Sequence, residues 1–320
     1  MIMNEDYYWY LLSLAKGIGP KKMHKIYDYL SAEGMEISDI FDMSDEEKKS
    51  QLNFNDKICE SLYEVDDSKT HDIYQRLKHQ KVHLVHIGST YYPNRLTQIL
   101  EKDAPPFLFC GGALSLFKAK GVSIVGARDI SDEGTLITRS IAKELTLSGF
   151  NIISGYAKGV DSNAHLGALE NEGTTTIILS YGILHFKQKR EFIDFNWSGS
   201  ILVVSQFNPN TEWKSYNAMK RNAIVVALSE KIIVIKAGAE RDKNGKMSGT
   251  FNTGRTALEL NIPLFVLSPS LVQDSIGNKI LIERGGIEIT PDNLLDKINE
   301  VNTSSENDDY DKSTQEEIFK

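Results

Sequence analysis

Residues 151–169 read NIISGYAKGVDSNAHLGAL. The first four residues are typical of a buried strand, and Asp161–Glu170 has the pattern of a helix. Between the two lie Gly155, Lys158 and Gly159. A simple turn needs only one glycine and a capping residue, so the second glycine and the lysine indicate a further role for this loop. Backbone N–H groups exposed by glycine beside a helix start, together with a cation, are suited to hold an anion. This stretch therefore predicts a strand–loop–helix unit with a phosphate-type site in its loop.

The same alternation of strand and helix continues from Gly121 onward. The predicted strands are Val122–Val125, Asn151–Ser154, Thr175–Ser180, Ile201–Val204, Lys231–Lys236 and Pro263–Ser268. The predicted helices include Thr135–Leu147, Asp161–Glu170, Asn217–Leu228 and Thr253–Leu260. Apolar strands that alternate with helices favour a parallel sheet covered on both faces. The predicted fold class is α/β: a doubly wound, Rossmann-like, mostly parallel sheet with ligands at the carboxyl ends of its strands.

The chain before Gly121 is predicted to be mainly helical. Two amphipathic segments are joined by Gly17-Ile18-Gly19-Pro20, where glycine permits a tight turn and proline suits the next helix. The stretch KVHLVHIG predicts a strand, and the proline-containing stretch after it predicts loops. The predicted domains are a helical domain at 1–80, a linker with a strand and a Pro-rich loop at 81–120, a Rossmann-like domain at 121–300 and an acidic disordered tail at 301–320.

Charge is distributed unevenly along the 320 residues. The formal net charge of −8 argues at first against a nucleic-acid partner. Residues 118–268, however, hold 18 Lys and Arg against 14 Asp and Glu, so the middle of the chain is mildly basic and its flanks are acidic. Cys59 and Cys110 lack metal or redox spacing and indicate buried thiols in a reducing compartment. No segment has the pattern of a membrane span or a signal peptide, so a cytoplasmic location is expected.

Two further strand ends carry the chemistry of the first loop. They comprise Gly126 and Arg128 after the first Rossmann-type strand, and Ser248, Gly249 and Thr250 before the helix that contains Glu259. Glycine backbone, cations and hydroxyl donors at neighbouring strand ends predict one phosphate cradle. Neither G-x-G-x-x-G nor a P-loop motif is present. No dinucleotide cofactor is therefore expected.

Two residues of the helix after the first loop have structural as well as functional interpretations. Asp161 is suited to cap the helix or to hold the loop. His165 lies in the first turns, where a satisfied core histidine is the alternative to a functional one.

Aromatic residues and cations are interleaved before the predicted helix at 217–228. Trp213, Lys214 and Tyr216 offer faces on which bases stack and a charge for a flexible backbone. Single-stranded nucleic acid requires this combination. A solvated surface with core anchors is the alternative interpretation.

Five stretches resemble, in order, motifs of the DNA-processing protein A family (DprA, also called Smf). They are SIVGAR, SGYAKGVDSNAHLGAL, KRNAIVVALS, SGTFNTGRTALE and GNKILIERGG. The resemblance covers about residues 7–290, and the N-terminal helices are similar to that family's helix-hairpin-helix (SAM-like) domain. It implies a homodimeric protein without catalytic residues, metal or cofactor and without a membrane partner. Such a protein binds single-stranded DNA and loads a RecA-type recombinase in recombination or natural transformation.

The resemblance also implies roles for individual residues. The DNA- or phosphate-binding positions are Gly126, Arg128, Gly155, Lys158, Gly159, Arg221, Asn222, Ser248, Gly249 and Thr250. Asp161 and His165 are expected to hold loop and helix in register, and Trp213 and Tyr216 to stack on bases.

The sequence also departs from the family pattern. Ala127 and Ala223 stand where the family has a hydroxyl residue and a second arginine, and no C-terminal winged-helix domain is evident. Three alternatives therefore stay open. They are a related protein of a mobile-element or anti-phage system, a nucleotide-binding sensor, and a LOG-like enzyme that hydrolyses nucleoside monophosphates with Glu259 as its acid.

Overall fold

The computed structural model describes residues 5–243, 245 and 247–301. The helices are α1 Glu5–Ser13, α2 Pro20–Glu33, α3 Asp39–Asp42, α4 Asp45–Leu52, α5 Asp56–Tyr63, α6 Asp67–His79, α7 Asn94–Leu100, α8 Asp132–Leu147, α9 Val160–Leu169, α10 Trp197–Ser200, α11 Ser215–Ala227, α12 Gly249–Glu259 and α13 Ile276–Glu283. The strands are β1 Val82–His86, β2 Phe107–Gly112, β3 Gly121–Val125, β4 Asn151–Ser154, β5 Thr175–Ile178, β6 Ile201–Ser205, β7 Lys231–Val234, β8 Leu264–Leu267 and β9 Ile287–Ile289. Residues 294–301 are also helical.

The chain forms two compact units, and the second contains the strand–loop–helix repeat. It comprises Ala119–Ile177 and Ser229–Lys320. In this unit β3 pairs in parallel with β4 and β7, β4 with β5, β7 with β8, and β8 with β9. Strands β3, β4, β5, β7 and β8 are buried along their whole length. Their burial explains why they are continuous apolar runs in the sequence.

The first unit comprises Met1–Lys118 and Ile178–Leu228. Its strands β1, β2 and β6 pair antiparallel. Helix α1 buries Tyr7, Trp9, Tyr10 and Leu12. The Trp9 ring stacks on His86 of β1 with 5.3 Å between the ring centroids. These aromatic contacts attach α1 to the β1 edge, so the N-terminal helices and the antiparallel strands share one core.

Prolines bound the elements of the segment between β1 and β3. Helix α7 begins directly after Pro93, and β2 begins directly after Pro106. The sequence predicted loops here because proline interrupts helices and ladders. Proline is tolerated at the ends of such elements, and this accounts for the short helix and the strand that the structure shows.

Within the described residues, the strands of the first unit have the order β1-β2-β6 and those of the second the order β5-β4-β3-β7-β8-β9, with antiparallel pairing in the first and parallel pairing in the second. The predicted α/β, Rossmann-like fold class with an N-terminal helical region is confirmed. Each strand predicted from Gly121 onward is present, with ends within two residues of the prediction. The domain boundaries stay a prediction, and the predicted tail lies outside the described residues from position 302 onward.

Two global features follow from burial and helix length. No helix of the described ranges is long and apolar enough to cross a membrane. Cys59 and Cys110 are buried and form no disulfide. Burial raises the pKa of both thiols, which holds them in the neutral form.

Asn278 fixes the carboxyl ends of β7 and β8. Its Nδ2 donates to the carbonyls of Ile235 (2.9 Å) and Leu267 (2.8 Å), and the N–H of Ala237 donates to its Oδ1 (2.7 Å). The side chain is fully buried. These three bonds satisfy backbone groups that the sheet ladder leaves at the strand ends.

Replacing Asn278 with alanine should lower the free energy of unfolding by about 3 kcal/mol, because two buried carbonyls and one buried N–H lose their partner. Urea denaturation of the full chain measures this change. Asn94→Ala, at an exposed first position of α7, is the matched control and should change stability by less than about 0.5 kcal/mol. A loss below about 1 kcal/mol for Asn278→Ala would contradict this role.

Candidate anion-binding site at the strand ends

The first loop of the site, Gly126–Arg128, follows the carboxyl end of β3. The N–H of Ala127 donates to the carbonyl of Lys236 (2.9 Å), which continues the β3–β7 pairing beyond both strands. Gly126 lies against Val160, the first residue of α9, and a Cβ at position 126 would be 2.4 Å from the nearest Val160 carbon. Packing therefore requires glycine at position 126.

The second loop follows β4, and its Gly159 packs backbone to backbone against the first loop. Gly159 has φ +85°, and a Cβ there would lie 2.4 Å from the carbonyl oxygen of Arg128 and 2.6 Å from that of Ala127. The N–H of Val160 donates to the Ala127 carbonyl (3.2 Å). No side chain fits between the two loops, and the backbone angle favours glycine. The structure thus brings the first and second predicted stretches together.

Each of the two loops carries one exposed cationic side chain at a predicted position. Arg128 and Lys158 are both exposed, one on each loop. Helix α9 begins beside them, and its N-cap, Gly159, carries no capping side chain. A helix N-terminus carries a partial positive charge that attracts anions. Two exposed cations and a helix start thus lie together, with the carboxylate of Asp129, also exposed, directly after Arg128.

Asp161 braces the second loop from inside. Its Oδ2 accepts from the N–H of Ala157 (3.3 Å), and the neighbouring Ser162 hydroxyl donates to the Ala157 carbonyl (2.8 Å). Asp161 is 6% exposed. It is not the N-cap of α9, because Gly159 occupies that position. These two contacts join Ala157 of the second loop to the first turn of α9.

His165 lies beneath the same loop and is fully buried. Its Nε2 is 2.5 Å from the carbonyl oxygen of Gly155, and its Nδ1 is 2.5 Å from Oγ1 of Thr175. The ring therefore joins the start of the loop to the first residue of β5. A hydrogen-bonded core histidine is what the structure shows here.

The third stretch starts α12, which follows β7 in the chain. The Ser248 hydroxyl caps the helix by accepting from the N–H of Phe251, and the Ser248 N–H donates to the Glu240 carbonyl (3.0 Å). Gly249 is exposed, with space around the position of a Cβ. Strands β4, β3 and β7 are parallel neighbours, so the loops that follow them lie along one edge of the sheet.

Four predicted residues belong to the first unit. Arg221 and Asn222 lie on α11, where Asn222 is buried (6% exposed) and Arg221 is half-buried. Trp213 and Tyr216 are 50% and 62% exposed, and Lys214 Nζ is 6.0 Å from the Tyr216 ring centroid. The exposed rings and the adjacent cation have the chemistry of a stacking surface.

Sequence reasoning assigned no role to two residues that position the third stretch. Arg284 pairs with Glu240 (2.9 Å) and lies over the Phe251 ring at 5.2 Å. Asn278 anchors Ala237 at the start of the same connection. Both residues lie in the stretch GNKILIERGG, residues 277–286. The match of this stretch to the family pattern was the one sequence signal for Asn278 and Arg284, because residues distant in the sequence supply their partners.

The site contains groups suited to binding. Among the residues that the structure describes, no group of three or more His, Cys, Asp and Glu side chains could hold a metal ion. Glu259, the candidate acid of the enzyme alternative, is the last residue of α12 and is ion-paired with Arg255 (3.5 Å). It lies ten positions after Gly249, which corresponds to about 15 Å along the helix axis.

Comparison with known proteins gives consistent matches over most of the chain. A family model described as DNA recombination-mediator protein A matches residues 83–299. Protein Smf of Synechocystis is 28% identical over 313 residues, which cover 92% of this chain and 73% of the relative. DNA processing protein DprA of Bacillus subtilis is 30% identical over 212 residues, with 65% and 68% covered.

Two solved structures have the same fold. DNA processing protein A of Streptococcus pneumoniae matches with a TM-score of 0.72 and 26% identity, covering 91% of this chain and 96% of that chain. The same protein of Helicobacter pylori, described for its single-stranded DNA binding mode, matches with a TM-score of 0.57 and 26% identity. The latter match covers 68% of this chain and 96% of that chain.

Gly159→Ala should destabilise the protein by about 3 kcal/mol or more, because the new methyl group adds an overlap with two carbonyl oxygens to the cost of a positive φ. Gly149→Ala is the matched control: Gly149 has φ +83°, and no described atom lies within 4 Å of the position of its Cβ. The control should lose about 1 kcal/mol. Thermal and urea denaturation measure both, and equal losses would show that the two loops are not packed as described.

Proposed function

From its membership of the DNA recombination-mediator protein A family, to which this chain belongs, we propose that it binds single-stranded DNA at the loops after β3, β4 and β7. The observation that supports this most is the packing of Gly159 against the carbonyls of Ala127 and Arg128. This packing sets two cationic loops and a helix start side by side. The printed description of the Helicobacter pylori structure, which concerns single-stranded DNA binding, supports the same ligand.

The proposed contacts bind the phosphates of the DNA and do not distinguish one base from another. Gly126, Gly155, Gly159 and Gly249 allow close backbone approach, Arg128 and Lys158 supply charge, and the hydroxyls of Ser248 and Thr250 supply donors. Contacts of this kind bind any sequence. We assign Arg221 and Asn222 to the same function in the first unit, with Trp213 and Tyr216 stacking on bases.

The proposed role is that of a binding protein without catalysis. The anionic side chain at the second loop, Asp161, already accepts from the loop backbone, and Glu259 lies at the far end of α12 from Ser248. Neither is placed to act as an acid or base on a phosphate held at the loops after β3, β4 and β7. We further propose that the protein is a cytoplasmic homodimer that loads a RecA-type recombinase onto the bound strand.

Replacing Arg128 and Lys158 together with alanine should weaken binding of a labelled oligothymidylate by about tenfold or more at low salt. It should also reduce the salt slope by about 1.4, roughly 0.7 for each lost phosphate contact. Fluorescence anisotropy at several salt concentrations measures both quantities. Lys143→Ala, an exposed lysine in the C-terminal half of α8, removes one like charge and should change the affinity less than twofold.

Unchanged affinity in the double variant would reject the loops as the DNA site. A folded wild type that binds no oligonucleotide but binds a mononucleotide would favour the sensor alternative, which the same phosphate chemistry allows.

Trp213→Ala should weaken oligothymidylate binding by about 1–3 kcal/mol, the range for loss of one stacked base. Trp213→Phe keeps an aromatic face and should retain most of the affinity. The same anisotropy titration, made at one salt concentration, compares the two variants. Equal losses in both, or none in either, would exclude stacking at this position.

A further inference from the structure

The first unit contains a cavity of about 200 Å³ that the proposed function does not use. It opens to solvent and lies between α1, the start of α2, β2, the loop after β6 and α11. Every residue that lines it belongs to the first unit. Since a cavity of about 150 Å³ holds a benzene ring, this one has room for a flat ring with polar substituents.

The apolar lining of the cavity includes a row of aromatic rings. Phe109 meets Tyr10 edge-on with 5.7 Å between ring centroids, and it meets Phe107 edge-on with 5.5 Å. Tyr10 and Phe109 are fully buried, whereas Phe107 is half-buried and keeps part of its surface accessible. Pro105 and Pro106 add apolar surface, because their carbonyls are already hydrogen-bonded elsewhere. Such a surface is suited to pack against a planar ring.

Two polar side chains of the same cavity are left without hydrogen bonds. Among the residues that the structure describes, neither the buried Nε2 of Gln206 nor the Tyr10 hydroxyl has a hydrogen-bond partner. Burial raises the pKa of the Tyr10 hydroxyl to about 12. The Asn208 side chain offsets part of this rise in pKa without reaching normal hydrogen-bond geometry. Unpaired buried polar groups are costly, so a ligand that offers an acceptor to Gln206 would be stabilised here.

The exposed side of the cavity is positively charged. Lys220 is the charged residue among those that line the cavity, and it is exposed. Gly19, also exposed, is the N-cap of the fourteen-residue helix α2 and supplies no side-chain cap. Lysine and a helix N-terminus both attract anions. The cavity therefore combines an apolar ring surface and an unpaired donor with an anion-attracting entrance.

We propose that this cavity binds a single nucleobase, with the attached phosphate held by Lys220 and the start of α2. The base packs against Phe107 and the prolines, and an acceptor on its edge receives the Nε2–H of Gln206. Every base carries such acceptors on its edge. Proteins hold unstacked bases by this combination of ring packing and edge hydrogen bonds. The site stands independently of the proposed function.

The surface beside the cavity favours the bound strand as the source of the base. Lys220 lies four residues after Tyr216 on α11, so the two share one face of the helix. Tyr216 is one of the residues proposed to stack on bases, and a strand stacked there is one helical turn from the entrance. This step rests on the proposed function. A free mononucleotide is the other source of the same chemistry.

The site is tested with thymidine monophosphate as the probe, by amide chemical-shift mapping of the full chain. The probe should shift the backbone amides of Gly19, Phe107 and Gln206 and the side-chain amide of Gln206, which is assigned by its loss in Gln206→Met. Inorganic phosphate has no ring and should leave Phe107 and Gln206 unshifted. Cavity amides that stay unchanged up to millimolar thymidine monophosphate would overturn the proposal.

Gln206→Met keeps the length of the side chain and removes the unpaired N–H. Affinity for thymidine monophosphate should fall about fivefold, the effect of one lost hydrogen bond. The urea midpoint should stay the same or rise, because Nε2 has no protein partner to lose. Gln80→Met, at the exposed C-cap of α6, is the matched control and should change neither quantity. Unchanged affinity in Gln206→Met would contradict the assigned contact; if this variant does not fold, the wild-type shifts decide alone.

Oligothymidylate distinguishes the two sources of the base. If the strand supplies it, the oligonucleotide should shift the same cavity amides, and Lys220→Ala should reduce the salt slope of binding by about 0.7, one phosphate contact. Lys25→Ala, at an exposed position of α2, is the control and should leave the slope unchanged. Cavity amides that respond to the mononucleotide alone would assign the site to a free nucleotide. A chain that binds no oligothymidylate would count against the proposed function, with the mononucleotide result unaffected.

Discussion

The site depends on one close approach, that of the Gly159 backbone to the carbonyls of Ala127 and Arg128. Two loops that leave neighbouring parallel strands can share one surface only if nothing stands between them, and glycine at positions 126 and 159 provides this. The approach also sets where α9 begins, because Val160 donates to the first loop. The loop backbone then sets the positions of the cationic side chains, because Arg128 and Lys158 are each exposed on a loop whose path is fixed.

Beneath this surface, buried polar side chains hold the loops from within. His165, Asp161 and Asn278 each bond backbone groups that the sheet leaves at its carboxyl edge. Buried polar groups that are fully hydrogen-bonded rigidify a structure and specify it. A rigid surface suits a flexible ligand, because the protein then loses little entropy on binding and the strand supplies most of the ordering cost.

The hydrophobic pattern of the sequence predicted the parallel strands well. These strands are buried on both faces and are therefore continuous runs of apolar residues. The same pattern predicted helix starts less well: α12 begins at Gly249, four residues before the expected Thr253, because the Ser248 hydroxyl caps it. The three-residue β9 was too short to give a pattern. The loop residues of the candidate site were predicted from glycines, cations and hydroxyl residues at the strand ends. The roles of Asn278 and Arg284 were not predicted. One partner of each is distant in sequence: Ala237 lies 41 residues from Asn278, and Glu240 lies 44 from Arg284, so a sequence window does not contain these contacts.

The most direct test of the central claim is amide chemical-shift mapping of the full chain with a short oligothymidylate. If the two packed loops bind the phosphates, the amides of residues 126–128, 155–160 and 248–250 should shift most, and inorganic phosphate should shift a subset of the same amides. If those amides stay unchanged while residues elsewhere respond to the oligonucleotide, the strand-end loops are not the surface that binds DNA, and the central claim is wrong.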